Sequence, residues 1–111
     1  MSPIEKLKGE QLSAVTFVQD YLQLHFDGPL LNVYSPLTIS SGENKETSWS
    51  PNFRNALCAQ IAKQVTQVEL AETYLRLTFS DQSSVSISLA ENDYTGPEAV
   101  YFNGYNETVV I

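Results

Sequence analysis

Residues 10–26 read EQLSAVTFVQDYLQLHF, and residues 63–79 read KQVTQVELAETYLRLTF. Laid over one another at an offset of 53 residues (63 − 10), they match Gln11 with Gln64, Val15 with Val68 and Tyr21 with Tyr74. Leu22, Leu24 and Phe26 then match Leu75, Leu77 and Phe79. These apolar matches recur at every second residue, the spacing at which a half-buried strand turns inward. The repeat is therefore one of structure rather than of low complexity. It predicts two similar halves, about 2–48 and 50–111, sharing one core within a single domain spanning 1–111.

Working outward, the first half is expected to hold strands near 12–18, 20–26 and 30–35, with Asp27-Gly28-Pro29 as a turn. The second is expected to repeat them near 65–71, 74–80 and 84–90, turning at Glu72-Thr73 and Asp81-Gln82. A final hairpin, roughly 98–102 and 105–111, is placed around Asn103-Gly104, because both central residues of a type I′ turn need positive φ. Ser50-Pro51 reads as a helix start, serine capping and proline at the first helical position. The helix is predicted over about 51–64, with Phe53, Leu57 and Ile61 on its inner stripe and Ala56 widening it. Ser2-Pro3 opens a shorter helix, with Ile4 and Leu7 as its apolar edge and Gly9 as its stop. Residues 40–50 (SSGENKETSWS) and 91–97 (ENDYTGP) read as loops. The fold class is thus α+β: antiparallel sheets from two pseudo-repeated three-stranded meanders, a C-terminal hairpin and one main helix. Periodicity leaves open a continuous sheet, a sandwich or a partly closed barrel.

The two halves differ on the face turned away from the core. In the second, Ser84, Ser86, Ser88, Arg76 and Thr78 make a face for water. In the first, Tyr21, Gln23 and His25 stand opposite Leu22, Leu24 and Phe26, continued by Leu30 and Tyr34 on the next strand. Exposed aromatic side chains offer large contact area at little entropic cost, so these five residues form the expected interaction face.

The charge narrows the partners. Against 13 acidic side chains stand 6 basic ones, a formal net charge of −7, and no Lys or Arg follows Arg76. Nucleic acid, bound through clustered cations, and anionic membrane surfaces are not expected partners. MSPIEKLKGEQL has no apolar run after its charges, and no stretch approaches a spanning helix. One cysteine, Cys58, forms no internal disulfide. Together these point to the cytoplasm.

The string Val15-Thr16-Phe17, Asp20-Tyr21-Leu22-Gln23-Leu24-His25-Phe26-Asp27-Gly28-Pro29, then Phe53-Arg54-Asn55-Ala56-Leu57-Cys58 and Leu75-Arg76-Leu77-Thr78-Phe79-Ser80-Asp81, resembles a family of small bacterial proteins of unknown function. Its shared pattern is a YLxLHFDG strand and turn, a short helix, and a later LxLxFsDG strand and turn. The resemblance covers roughly 10–111 and implies a fold, with no activity to transfer. Gln82 stands where the later turn of the pattern has glycine, which implies a different hairpin there.

Candidate chemistry is sparse. His25 shares a strand face with Asp27, a spacing that would orient an imidazole, but no nucleophile accompanies it and no GxSxG elbow exists. The expected role of Asp27 is the turn. Cys58, between Leu57 and Ile61, is expected to be a small buried hydrophobe. Glu91, Asp93 and Glu98 near Tyr94 read as a solubilising loop, Trp49 as a staple of the helix start onto the core or else an exposed contact residue, and Asn106-Glu107-Thr108 as a chance sequon. No ligand spacing suits zinc or calcium. No catalytic, cofactor-binding or metal residue is expected. The expected function is a non-enzymatic protein-interaction or scaffold domain, self-associating into a homo-oligomer or, as an immunity-type protein, neutralising a basic toxin. The alternative is a small-ligand-binding protein or enzyme with a pocket between the halves, near Tyr74, Tyr101 and Glu98.

Overall fold

In the computed structural model, which describes residues 2–111, the alternating segments become ten strands. β1 (Leu12–Phe17), β2 (Leu22–Phe26), β3 (Leu30–Val33), β4 (Leu37–Ser41) and β5 (Asn44–Thr47) precede one short helix, α1 (Phe53–Cys58). β6 (Val65–Leu70), β7 (Tyr74–Phe79), β8 (Ser84–Ser88), β9 (Val100–Gly104) and β10 (Glu107–Val110) follow it. They form two five-stranded antiparallel sheets, ordered β1-β2-β3-β9-β10 and β5-β4-β8-β7-β6. The class is α+β with the sheets dominating, and among the described residues no helix is long and apolar enough to cross a membrane.

The registers follow the apolar positions. Leu12 faces Phe26 and Phe17 faces Leu22 across β1–β2, while Val65 faces Phe79 and Leu70 faces Leu75 across β6–β7. A bulge interrupts each pair, between Leu12 and Ala14 and between Val65 and Gln67. The extra residue in each is a hydroxyl amino acid: Ser13 donates to the His25 carbonyl at 3.0 Å and Thr66 to that of Thr78 at 3.2 Å. A bulge twists an edge strand and spoils it as a template for a further strand.

The outer hairpins cross over. β4 pairs with β8, Leu37 facing Ile87 and Ile39 facing Val85, so a hairpin from the first part of the chain completes the second sheet. β9 pairs with β3, Val100 facing Val33 and Phe102 facing Leu31, so the last hairpin completes the first. At one corner the sheets are sewn together. Gly9 N donates to Val65 O and Ala62 N to Leu12 O, each at 2.7 Å, while Gln11 Nε2 reaches Ala62 O at 2.9 Å and Gln64 Nε2 reaches Gly9 O at 3.1 Å. Both acceptors of the glutamines, Gly9 and Ala62, have positive φ, +96° and +79°. The inward faces of both sheets then fuse with Ile4, Leu7, Phe53 and Leu57 into one buried cluster.

Several sequence expectations are corrected. The helix predicted over 51–64 runs only from Phe53 to Cys58, because residues 62–65 leave it to pair with residues 9–12. Ser50 is not its side-chain cap. Asn52 occupies that position without a side-chain bond, and the Ser50 hydroxyl donates to Glu46 at 2.8 Å. Ile61, past the shortened helix, turns to solvent at 36 % exposure. Cys58, expected to be buried, is exposed, since the inward stripe ends at Leu57. The short N-terminal helix is a 3-10 turn, Pro3–Leu7, closed by a capping box in which Ser2 Oγ accepts from Ile4 N and Glu5 accepts from Ser2 N. Residues 40–50 contain strand, not loop alone: Ser41 and Asn44 pair across the β4–β5 turn. The last hairpin turns at Tyr105 and Asn106, φ +55° and +62°, two residues later than Asn103-Gly104. Gly104 serves close approach instead, since a Cβ there would lie 2.8 Å from Pro29 Cβ.

The β7–β8 turn is pinned to the end of α1 by a polar cluster. Lys63 Nζ lies 2.6 Å from Asp81 Oδ2, and the Ser83 hydroxyl lies between Asp81 and Gln60 Oε1, 2.7 Å from the latter. The Lys63 ammonium first, and then the Ser83 hydroxyl and amide, hold the Asp81 carboxyl well below its ordinary value of 3.8. A depressed carboxyl contributes stability that is complete above the unfolded value and lost as pH falls through the folded one. Asp81→Asn is therefore expected to lower the urea midpoint near neutral pH, and the gap to wild type to close in acid well below 3.8. A gap independent of pH would mean that packing, not ionisation, makes the contribution. The Asp81 side chain is 47 % exposed, so solvent screens much of the effect.

Candidate functional site

Every residue of the expected interaction face lies on the outer side of the first sheet. Inward Leu22, Leu24, Phe26, Leu31 and Val33 leave Tyr21, Gln23, His25, Leu30 and Tyr34 half-buried on the opposite side. One row across the sheet runs Thr16, Gln23, Asn32, Tyr101, Val110, and the next runs Ala14, His25, Leu30, Asn103, Thr108. Neither row contains Asp, Glu, Lys or Arg, in a chain with 17 % charged residues. At one end the Tyr21 and Tyr34 rings pack against each other, tilted by 38° with centroids 5.1 Å apart. Asn32 Nδ2 donates to the Tyr34 hydroxyl at 3.3 Å, while its Oδ1 is buried without a partner.

His25 and Asp27 do not form a pair. His25 Nε2 lies 3.0 Å from Thr16 Oγ1, and Asp27 is exposed in the β2–β3 turn. The Thr16 hydroxyl is the side-chain partner of the imidazole, and no group of three or more His, Cys, Asp or Glu among the described residues is placed to hold a metal ion.

The second sheet's outer face is internally satisfied. Arg76 Nε donates to Ser86 Oγ at 3.1 Å and its guanidinium meets Glu69 at 3.2 Å. The Tyr74 hydroxyl donates to the same carboxylate at 2.6 Å, a bond that raises the phenol's pKa. Thr38 and Thr47 share a hydroxyl contact at 3.2 Å. Tyr74 thus lies on one outer face and Tyr101 on the other, so the structure does not bring Tyr74, Tyr101 and Glu98 into one pocket.

Sequence reasoning missed the end of the molecule beside the tyrosine pair. A cavity of about 180 Å³ is lined by Asp20, Tyr21, Tyr34, Ser35 and Trp49, and a second of about 300 Å³ by Asp20, Tyr34, Gly96, Pro97 and Glu98. Trp49 is 52 % exposed, with φ +82° and its ring 5.3 Å from Phe53 and 6.5 Å from Phe17. It staples the helix start, as expected, yet keeps half its surface in solvent. Glu98 leaves the acidic group expected for residues 91–98: Glu91 and Asp93 sit in an exposed 3-10 turn, with Asp93 accepting from Ser88. No signal in the sequence joins residues so far apart.

Comparison of the chain with protein-family models, with curated proteins and with solved structures gives no match.

Proposed function

We propose that this chain is a non-enzymatic interaction domain whose contact surface is the outer face of the first sheet, with a second copy of the chain as the partner. The absence of formal charge from the two central rows of that face carries the reading. Interface cores are depleted in Asp, Glu and Lys and enriched in tyrosine. A contact centred on these rows also keeps the carboxylates of two chains, each at −7, away from its middle. Asn32 adds to it: its Nδ2 donates to the Tyr34 hydroxyl at 3.3 Å while its Oδ1 has no partner within the chain, so the fold leaves this face's polar groups incompletely satisfied. The solvated second face, where Arg76, Glu69, Tyr74 and Ser86 satisfy one another, offers no such deficit.

The finer architecture belongs to the same proposal. We read the molecule as one unit used twice, with the β4–β5 and β9–β10 hairpins exchanged between the halves, because hairpin register and bulge position recur at an offset of 53 residues (65 − 12). The immunity-type version, an acidic domain in a bacterial cytoplasm blocking a basic enzyme, draws on the net charge of −7 and on analogy. The resemblance to the YLxLHFDG family supplies no activity, so the reading rests on the chain's own surface.

Tyr34→Glu is the test. It is expected to cost about 2 kcal/mol or more of association energy, by removing aromatic area and desolvating a charge. Equilibrium sedimentation of wild type and variant measures this, with circular dichroism as the control for fold. A wild-type chain that stays monomeric at high micromolar concentration would sink self-association.

A further inference from the structure

The two cavities beside the tyrosine pair share Asp20 and Tyr34, and each is lined by a residue with a buried polar atom that has no hydrogen-bond partner within the chain. In the smaller, Ser35 is only 7 % exposed and its hydroxyl has no hydrogen-bond partner. In the larger, Glu98 Oε2 is buried and equally unpartnered. Native proteins rarely leave such atoms unsatisfied, and a buried carboxylate oxygen is the costliest kind to leave so. The surroundings say what would satisfy them. Asp20 and Glu98 supply negative charge, and Tyr21, Tyr34 and Trp49 supply aromatic surface. No Lys or Arg lines either cavity. Arg54, the cation beside this rim, is stacked over Phe17 and Trp49, 5.5 and 5.6 Å from their centroids.

We propose that this cleft is a binding site for an organic cation, an alkylammonium or guanidinium group. In the larger cavity such a group presents its N–H donors to the Glu98 carboxylate with its carbons against Tyr34, and the smaller cavity, lined by Tyr21, Tyr34, Ser35 and Trp49, adjoins it across Asp20 and Tyr34. A bare metal ion suits the site less well, because hard cations take six or more oxygen ligands and, among the described residues, no group of three or more His, Cys, Asp or Glu is placed to hold one. An anion meets two carboxylates. The same chemistry belongs to a free small amine and to a lysine or arginine side chain of a protein. The site goes beyond the self-association reading: it requires no dimer, and its failure leaves the sedimentation result standing.

Trp49, the chain's one tryptophan, sits on the rim and reports occupancy by fluorescence. Wild type is titrated with n-butylammonium and with N-acetylarginine amide, using n-butanol and acetate as neutral and anionic controls, and amide NMR shifts locate the site. Both cations, or one of them, are expected to bind saturably, shift the amides of residues 34, 35 and 98, and weaken with added salt. Tighter binding of n-butylammonium assigns the site to free amines. Binding of the arginine derivative alone assigns it to a protein side chain. Glu98→Gln is expected to weaken binding about tenfold, as loss of a charge-assisted hydrogen bond does. Ser35→Ala is expected to weaken it less, with an unchanged circular dichroism spectrum. The proposal is overturned by no saturable response to either cation, by equal affinity in Glu98→Gln, or by butanol or acetate binding as well as the cations do.

Discussion

Phe102→Ala is expected to remove about 3–5 kcal/mol of folding stability, the usual cost of deleting a fully buried aromatic ring. Phe102 is 0 % exposed and lies between Leu31 of β3 and Val109 of β10, so its ring joins the last hairpin to the strands that precede it by some seventy residues. Small domains carry only about 5–15 kcal/mol in total, so the loss would take a large share of it. The thermal midpoint should fall by on the order of 15 °C or more. Because β9 lies inside the sheet, the loss should appear as one cooperative transition at lower urea. A loss below about 1 kcal/mol, with only residues 98–111 losing hydrogen-exchange protection, would show the hairpin to be an accessory.

Phe53→Ala should cost a similar amount, about 3–5 kcal/mol, for a different reason. α1 spans six residues, far too few to be stable alone, so tertiary packing must hold it. Phe53 and Leu57 are its buried residues, and the Phe53 ring meets Phe17 edge-on at 6.5 Å and Trp49 at 5.3 Å. Without that ring, the helix loses its anchor and Trp49 its inner wall. Urea titration followed by tryptophan emission checks both at once: a lower midpoint, and a native spectrum shifted to the red. Phe53→Leu, which keeps most of the buried volume, should lose less than half as much. An alanine variant within about 0.5 kcal/mol of wild type would mean that the β-sheets alone define the fold.

How far the chain is legible depends on whether a segment has an inside. The strands holding Leu22, Leu24 and Phe26 or Leu75, Leu77 and Phe79 were readable because one face is buried, and burial writes a period of two. β5 was not. Its residues Asn44–Thr47 form a charged edge strand with no buried side chain, so their pattern is that of a loop. The helix was readable at Phe53 and Leu57 but not at its end. Its stop is set by the pairing of residues 62–65 with residues 9–12, a contact between distant parts of the chain. The same early stop leaves Ile61 in solvent, whereas Cys58, still within the helix, lies off the inward stripe of Phe53 and Leu57. At the last hairpin, Asn103-Gly104 carried the right turn chemistry in the wrong place. Gly104 is required by Pro29, a neighbour only in space, while Tyr105 and Asn106 take the left-handed turn.

The candidate site divides in the same way. Tyr21, Gln23, His25, Leu30 and Tyr34 were visible as a face because strand alternation alone puts them opposite the core. The cleft beside them was not, since Asp20, Ser35, Trp49 and Glu98 come from four separate connections and meet only when both sheets close. The sequence by itself determined what can be decided locally: which side chains turn inward, which strands pair with their neighbours, and which face stays free of charge. Tertiary structure alone decided the pairing of β4 with β8 and of β9 with β3, the length of the helix and the cleft. Those depend on which apolar faces find each other, and that choice belongs to the free energy of the whole core rather than to any single stretch of it.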